Sequence, residues 1–156
     1  MTHDPVVQQL VDRVKIMETV HRYCRYADLL DPSGMVESFT EDCVVIFHDD
    51  GPRLEGREAF KRRLEERLGR TVSGSHHVSN EELIFEAADR VRAHLYLYSW
   101  QRFDGFPSTA DVHRWGRYEM DFVNDGAAWR IKYMRLLSAG EYGSPRIGEH
   151  FGKQWP

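Results

Sequence analysis

Four long stretches of alternating side chains fill the second half of this sequence, and they constrain the fold more than any other feature. The predicted strands are HHVSNEELIFEA, RVRAHLYLYSWQRF, VHRWGRYEMDFV and AAWRIKYMRLLS. The connections AADR and NDGA are short enough for hairpin turns, whereas DGFPSTAD makes a longer loop. Because strands joined by short connections pair with each other, this half of the chain predicts an antiparallel meander.

Helices are predicted ahead of the meander. The first runs from about Val6 to Leu29, and its apolar residues recur at three- and four-residue steps, at Val7, Leu10, Val14, Met17, Val20 and Cys24. MVESFT is predicted as a short helix and DCVVIFH as a strand. EGREAFKRRLEERL is predicted as a third helix with Phe60 and Leu64 facing inward. This order indicates an α+β domain with helices on one face of a curved, mostly antiparallel sheet.

The composition is that of one globular domain. The chain has 156 residues, 41% of them hydrophobic and 29% charged. Its net charge of −4, with arginines scattered among acids as in KRRLEERLGR, indicates a solvated helix face and no nucleic-acid partner. No apolar stretch is long enough to span a membrane, and the N-terminus does not resemble a signal peptide, so we expect a cytoplasmic protein. Cys24 and Cys43 are interpreted as small core residues.

The domain is expected to cover residues 1–140, and the glycine-rich residues 141–156 are interpreted as a tail or lid. Within RVRAHLYLYSW, one face carries small and medium side chains, at Val91, Ala93, Leu95, Leu97 and Ser99. Such a face leaves room for a cavity beneath the helices. The other face is aromatic and predicts a homodimer interface, together with Trp115 on the next strand, through His94, Tyr96, Tyr98 and Trp100.

Two adjacent histidines begin the first predicted strand of the meander. Because neighbours on a strand point to opposite faces, His76 and His77 cannot both face the cavity. Tyr23 and Asp28 lie about 140° apart around a straight helix, so they converge only if the helix ends near Asp28. The following LLDP supplies such an end. Spacing alone leaves open that Asp28 is a solvated helix-terminal residue and Tyr23 a core phenol.

The order and spacing of several segments resemble the SnoaL-like branch of the nuclear transport factor two-like superfamily. The segments are RYCRYADLLDPSGMVESFTEDCVV, the helix after LEG, SHHVSN and GRYEMDFVNDGAAWRI, which together extend from about Ile16 to Arg135. The resemblance implies a cone-shaped α+β barrel with a deep apolar pocket, often dimeric. The family includes dehydratases, dehydrochlorinases and polyketide cyclases, but also non-catalytic binding proteins and small subunits of ring-hydroxylating dioxygenases. Fold alone therefore does not decide function.

The resemblance also implies site residues. The aspartate, tyrosine and histidine of the lyase relatives fall on Asp28, Tyr23 and His76, and an asparagine four residues after the histidine falls on Asn80. His76 is thus the inward histidine, and strand alternation predicts that Val78 and Asn80 face inward with it. The residues expected to contact a substrate are Asn80, Ala93, Leu95, Tyr118, Met120 and Met134.

Two positions depart from the family pattern. An arginine that members often place five residues after the tryptophan of the last strand is replaced by Met134, and Arg135 follows one position later. Alternation points Arg135 away from the pocket unless a bulge shifts the register. Met120 occupies a position where relatives often have aspartate, which makes the expected pocket more apolar.

The expected chemistry follows from an aspartate beside a histidine in an apolar pocket. The carboxylate fixes the imidazole tautomer and leaves the other nitrogen free to accept a proton, while a tyrosine hydroxyl polarises a carbonyl. This predicts a cofactor-independent lyase or isomerase acting on an apolar cyclic or polyketide-like molecule. The alternatives are a non-catalytic small-molecule-binding or assembly protein, in which the aspartate is structural, and the small subunit of a ring-hydroxylating dioxygenase.

No metal site is predicted. His48, Asp49 and Asp50 have the side chains of metal ligands, but they are interpreted as a polar strand end and turn. No phosphate-binding loop or nucleophilic serine or cysteine turn is present in the sequence.

Overall fold

A computed structural model describes residues 4–47, 51–104 and 111–143. The helices are α1 (Pro5–Asp28), α2 (Pro32–Val36) and α3 (Arg57–Leu68). The strands are β1 (Phe39–Phe47), β2 (Arg53–Glu55), β3 (Thr71–Ala87), β4 (Arg90–Phe103), β5 (Val112–Asn124) and β6 (Trp129–Tyr142). The predicted helices and strands are present, except that the helix predicted over MVESFT lies earlier, at Pro32–Val36, and Phe39 and Thr40 belong to β1. The short β2 is an element that the sequence did not predict. The expected tail begins inside β6, and its residues 144–156, like His48, Asp49 and Asp50, lie outside the described residues.

The six strands form one mixed sheet in the order β2-β1-β6-β5-β4-β3. β3 to β6 are the predicted antiparallel meander, and β2 pairs antiparallel with β1. β1 runs parallel to β6, because it is not joined to β6 by a hairpin and reaches the sheet from the helical half of the chain. The predicted α+β class with a mostly antiparallel sheet is confirmed. The sheet has β2 and β3 as its edges and does not close.

The end of α1 is set by local sequence. Pro32 disfavours helix at Asp31, and Leu30 adopts the left-handed region with φ of 56°. The N–H of Asp31 donates to the carbonyl of Tyr26 over 2.9 Å, which satisfies one carbonyl at the helix end. The predicted helix end is therefore present, and it makes Asp28 the last residue of α1.

The buried face of α1 differs from the predicted apolar stripe. Val20 and Cys24 are buried as expected, but Val7, Leu10 and Val14 are exposed. The buried residues of α1 include two polar side chains. They are Asp12, Ile16, Thr19, Val20, Tyr23, Cys24 and Ala27. The stripe was wrong over the first half of the helix because apolar periodicity cannot detect a polar side chain that is buried with hydrogen-bond partners.

The core lies between the helices and one face of the sheet. Phe60 and Leu64 of α3 are buried as predicted, and the ring of Phe60 packs edge-on against that of Phe39 with centroids 4.9 Å apart. Cys24 and Cys43 are buried free thiols, as the sequence analysis expected. Burial raises the pKa of the Cys24 thiol to about 12, so this side chain is a neutral, apolar part of the core.

A buried hydrogen bond fastens α1 to the sheet. The indole N–H of Trp129, the first residue of β6, donates to Oδ1 of Asp12 over 2.9 Å. The hydroxyl of Thr19 donates to the carbonyl of the same tryptophan over 3.0 Å. Trp129 and Asp12 are 1% and 6% exposed, so water cannot readily replace either partner. Loss of one partner would therefore leave the other buried without a hydrogen bond.

We expect Asp12→Ala to lower the free energy of unfolding by about 1–3 kcal/mol, because it leaves the indole N–H of Trp129 without an acceptor. Urea unfolding followed by tryptophan fluorescence measures this change. Glu18→Ala, at an exposed position of the same helix, is the matched control and should change stability by less than about 0.5 kcal/mol. Equal effects of the two substitutions would show that the buried hydrogen bond does not fasten the helix.

Candidate active site

The end of α1 meets β3 through two hydrogen bonds between Asp28 and His76. Nδ1 of His76 lies 2.7 Å from Oδ1 of Asp28, and the backbone N–H of His76 donates to Oδ2 over 3.2 Å. The side chains are 13% (His76) and 31% (Asp28) exposed. Since a carboxylate only accepts hydrogen bonds, Nδ1 carries a proton, and in the neutral form of the ring Nε2 is then the unprotonated acceptor.

His76 borders two spaces, an inner cavity and an outer cleft. The inner cavity has a volume of about 30 Å³, room for about two water molecules, and Tyr23, Tyr118 and His76 line it together with residues of α3 and β4. The outer cleft has a volume of about 390 Å³ and is lined by Asp28, His76, Val78 and residues of α1. The imidazole of His76 is therefore part of the lining of both spaces.

Two buried tyrosines lie in the inner cavity. The rings of Tyr23 and Tyr118 pack edge-on with centroids 6.3 Å apart, and their side chains hydrogen-bond each other. Burial raises the pKa of Tyr23, and that of Tyr118, well above the value of a free phenol. Both side chains are therefore neutral at physiological pH and able to donate hydrogen bonds.

The structure places the six predicted contact residues in three different environments. Tyr118 lines the inner cavity, whereas four are fully buried in the core outside the lining of either space, namely Ala93, Leu95, Met120 and Met134. Asn80 is exposed and has a φ of 52°, because a register shift in β3 between Ser79 and Glu82 interrupts the alternation that began at His76. Asn80 thus does not face inward with His76. Val78 does lie beside His76, in the outer cleft.

His77 and Arg135, whose directions were predicted from strand alternation, both point outward. His77 is exposed and lies within 2.9 Å of the Ser75 hydroxyl. Arg135 lies 3.9 Å from the carboxylate of Glu119 and is not among the residues that line either space. No arginine reaches the inner cavity from this part of β6.

The inner cavity is more polar than the sequence predicted, because Arg67, Gln101 and Arg114 line it. Arg67 belongs to the segment that was interpreted as a solvated helix face, and this interpretation was wrong for that residue. Its position seven residues after Phe60 puts it on the inward stripe of α3, a signal that helical spacing could have supplied. Arg114 likewise shares a strand face with Tyr118, four residues on.

These polar groups contact one another. Arg67 donates to the side-chain oxygen of Gln101 over 3.1 Å, and its guanidinium lies 5.8 Å from the centroid of the Phe47 ring. Arg114 is 8% exposed and forms an ion pair with Glu141. Burial, and then the charge of Arg114, lower the pKa of Arg67 to about 10, so Arg67 is still cationic at neutral pH.

Within the described residues no group of three or more histidine, cysteine or acidic side chains is arranged to hold a metal ion. None of the helices in this part of the chain is both long and apolar enough to span a membrane.

The sequence profile of the SnoaL-like domain matches residues 8–135. The chain therefore belongs to the SnoaL-like family. No curated protein sequence matches it significantly.

Solved structures share the fold over almost the whole chain. A candidate scytalone dehydratase from Novosphingobium aromaticivorans is 21% identical with a TM-score of 0.86, and the match covers 97% of this chain and 99% of that one. Hexachlorocyclohexane dehydrochlorinase LinA-type3 from Novosphingobium barchaimii is 15% identical with a TM-score of 0.77, over 95% and 99% of the two chains. A candidate aromatic ring hydroxylase from N. aromaticivorans is 16% identical with a TM-score of 0.75, over 84% and 91%. At these identities the likeness establishes the nuclear transport factor two-like cone fold.

Proposed function

We propose that this protein is a lyase or isomerase that needs no cofactor and acts on an apolar cyclic or polyketide-like small molecule. The observation that carries the proposal is the 2.7 Å contact between Nδ1 of His76 and Asp28, at a ring that borders the inner cavity. The fold shared with dehydratase and dehydrochlorinase structures supports the same class of reaction.

His76 is the general base in this proposal. Its Nε2 removes a proton from carbon beside a substrate carbonyl, and the Asp28 carboxylate stabilises the imidazolium that forms. Asp28 also holds the ring in place, because it accepts a second hydrogen bond from the backbone of His76. Asp28 is therefore a positioning residue. Its negative charge stabilises the ring more strongly once the ring has become positive.

Tyr23 is the hydrogen-bond donor to the substrate carbonyl. A neutral buried phenol donates to an oxygen that gains negative charge as the proton leaves carbon. In a dehydration, the electron pair of the broken C–H bond forms the double bond, the C–O bond breaks, and the imidazolium returns its proton to the leaving hydroxide as water. In an isomerisation the same proton returns to a different carbon. Neither path needs a metal ion or an organic cofactor.

The test is a panel of one- to three-ring β-hydroxyketones incubated with the protein in D₂O. A lyase produces the conjugated enone, which is followed by ultraviolet absorbance, and exchanges deuterium beside the carbonyl, which is followed by NMR. For a compound that turns over, His76→Ala and Asp28→Asn should each lower kcat by at least about 10²-fold, the usual scale for losing general acid–base help. Substrate affinity should change little, because the lost interactions strengthen in the transition state.

His77→Ala is the matched control, because this neighbouring histidine is exposed and points to the other face of β3. It should retain the wild-type rate. Turnover of a confirmed substrate by the His76→Ala/Asp28→Asn double variant at the wild-type rate would overturn the assignment. A protein that only binds its ligand would show no turnover in any form, and weaker affinity in the variants.

We also propose that the protein acts in the cytoplasm as a homodimer formed through the outer face of β4 and β5. This face presents apolar rings to solvent, since Tyr96 is 46% and Trp115 48% exposed. Tyr98 donates or accepts a hydrogen bond with Nδ1 of His113 over 2.8 Å, and the rings of His113 and Trp115 are stacked. A preorganised aromatic surface of this kind is typical of interface cores.

Sedimentation velocity at micromolar concentration should give the mass of a dimer. Trp115→Glu should shift the protein to monomer, because it introduces a buried charge without a partner at the interface. The exposed Val72 at the edge of the sheet offers a control position, and Val72→Glu should leave the dimer intact. A wild-type protein that sediments as a monomer would contradict the assembly.

A further inference from the structure

We propose that the inner cavity binds a carboxylate of the substrate, and that Arg67 is the residue that holds it. The substrate would then be an apolar molecule that carries one carboxylate group, with its reacting carbon beside His76. The assignment of that reacting carbon rests on the proposed function, whereas the binding of the carboxylate can be measured without any turnover.

The cations that line the inner cavity outnumber the anions. Among the residues described by the structure, its lining includes Arg67 and Arg114 and no aspartate or glutamate. Arg114 is neutralised by its ion pair with Glu141, a residue outside the lining. Arg67 has no carboxylate partner within the described ranges 4–47, 51–104 and 111–143. The positive charge of Arg67 is therefore not balanced by a negative charge in the lining of the cavity.

Few protein groups contact the guanidinium of Arg67 in place of water. The one hydrogen-bond partner of its guanidinium among these residues is the neutral side chain of Gln101, and the guanidinium lies over the ring of Phe47. The lowered pKa of Arg67 has burial as its main cause, which means that folding disfavours the charged form. A partly buried cation without a carboxylate beside it costs stability unless something else is gained. Binding of an anion would supply the missing partner.

The shape of the arrangement favours a carboxylate on an apolar body. A guanidinium presents a planar fork of N–H donors that matches the two oxygens of a carboxylate. The rest of the lining is largely apolar and includes Leu64, Leu97 and Leu136. His76 borders the same cavity. A volume of about 30 Å³ accommodates the carboxylate group itself, so the apolar body of the molecule displaces lining side chains when it binds and reaches the proposed base.

The probes are benzoate and its neutral amide, benzamide, titrated into the full-length protein by isothermal calorimetry. Benzoate should bind more tightly than benzamide, because only benzoate can form the charged pair. Arg67→Met should weaken benzoate binding at least about ten-fold, the scale of a lost hydrogen bond to a charged group, and leave benzamide binding unchanged. Arg67→Lys, which keeps the charge and loses the planar fork, should give an intermediate affinity.

Arg63→Met is the matched control, since Arg63 lies on α3 one turn earlier and pairs with Glu66 at the surface. It removes the same charge and should leave benzoate affinity unchanged. The melting temperature without ligand separates binding from folding. Arg67→Met removes a partly buried cation that has no carboxylate partner among the described residues, so it should not lower the melting temperature. Arg67→Lys keeps the proposal testable if the methionine variant does not fold.

Three results would overturn the carboxylate site. They are equal affinities of the wild-type protein for benzoate and benzamide, no binding of benzoate at millimolar concentration, and unchanged benzoate affinity in Arg67→Met. Inorganic phosphate binding as tightly as benzoate would also overturn it, in favour of a general anion site. His76→Ala should retain benzoate affinity, so loss of the proposed catalytic function and loss of the carboxylate site are separate outcomes.

Discussion

The contact between Asp28 and His76 joins the only long helix of the described residues to the edge strand of its sheet. Asp28 can make this contact because α1 ends there, where Leu30 turns the chain and Pro32 stops the helix. One carboxylate then holds both the backbone and the ring of His76. The orientation of the imidazole, the position of the helix end and the boundary between the inner cavity and the outer cleft all depend on these two hydrogen bonds.

The inner cavity brings together polar groups whose removal from water costs free energy. Burial keeps the phenols of Tyr23 and Tyr118 neutral. Arg67 remains a cation at neutral pH, although no carboxylate lines the cavity beside it. A protein that needed only to be stable could fill the same space with apolar side chains. Hydrogen-bond donors, a positive charge and a histidine in the lining of one cavity are an arrangement suited to binding and polarising a small molecule.

Sequence reasoning identified what local pattern and family order encode, and it missed what depends on tertiary partners. The meander, the helix end at Asp28 and the inward direction of His76 follow from alternation and from proline. The buried Asp12 does not, because its acceptor role depends on Trp129 in a strand more than a hundred residues away. Asn80 left the expected face because one bulge reverses strand parity. Arg67 was predicted to be exposed because the prediction considered its charge and not its position on the inward stripe of α3.

The protonation state of His76 decides whether this residue can act as the base. A general base at this position needs a neutral ring with the proton on Nδ1, held by Asp28, and an unprotonated Nε2. Nitrogen-15 chemical shifts of the labelled side chain distinguish the two neutral forms, and Asp28→Asn should disturb the Nδ1 resonance. A wild-type ring with its proton on Nε2 would contradict the account, since His76 could not then accept a proton from a molecule in the cavity.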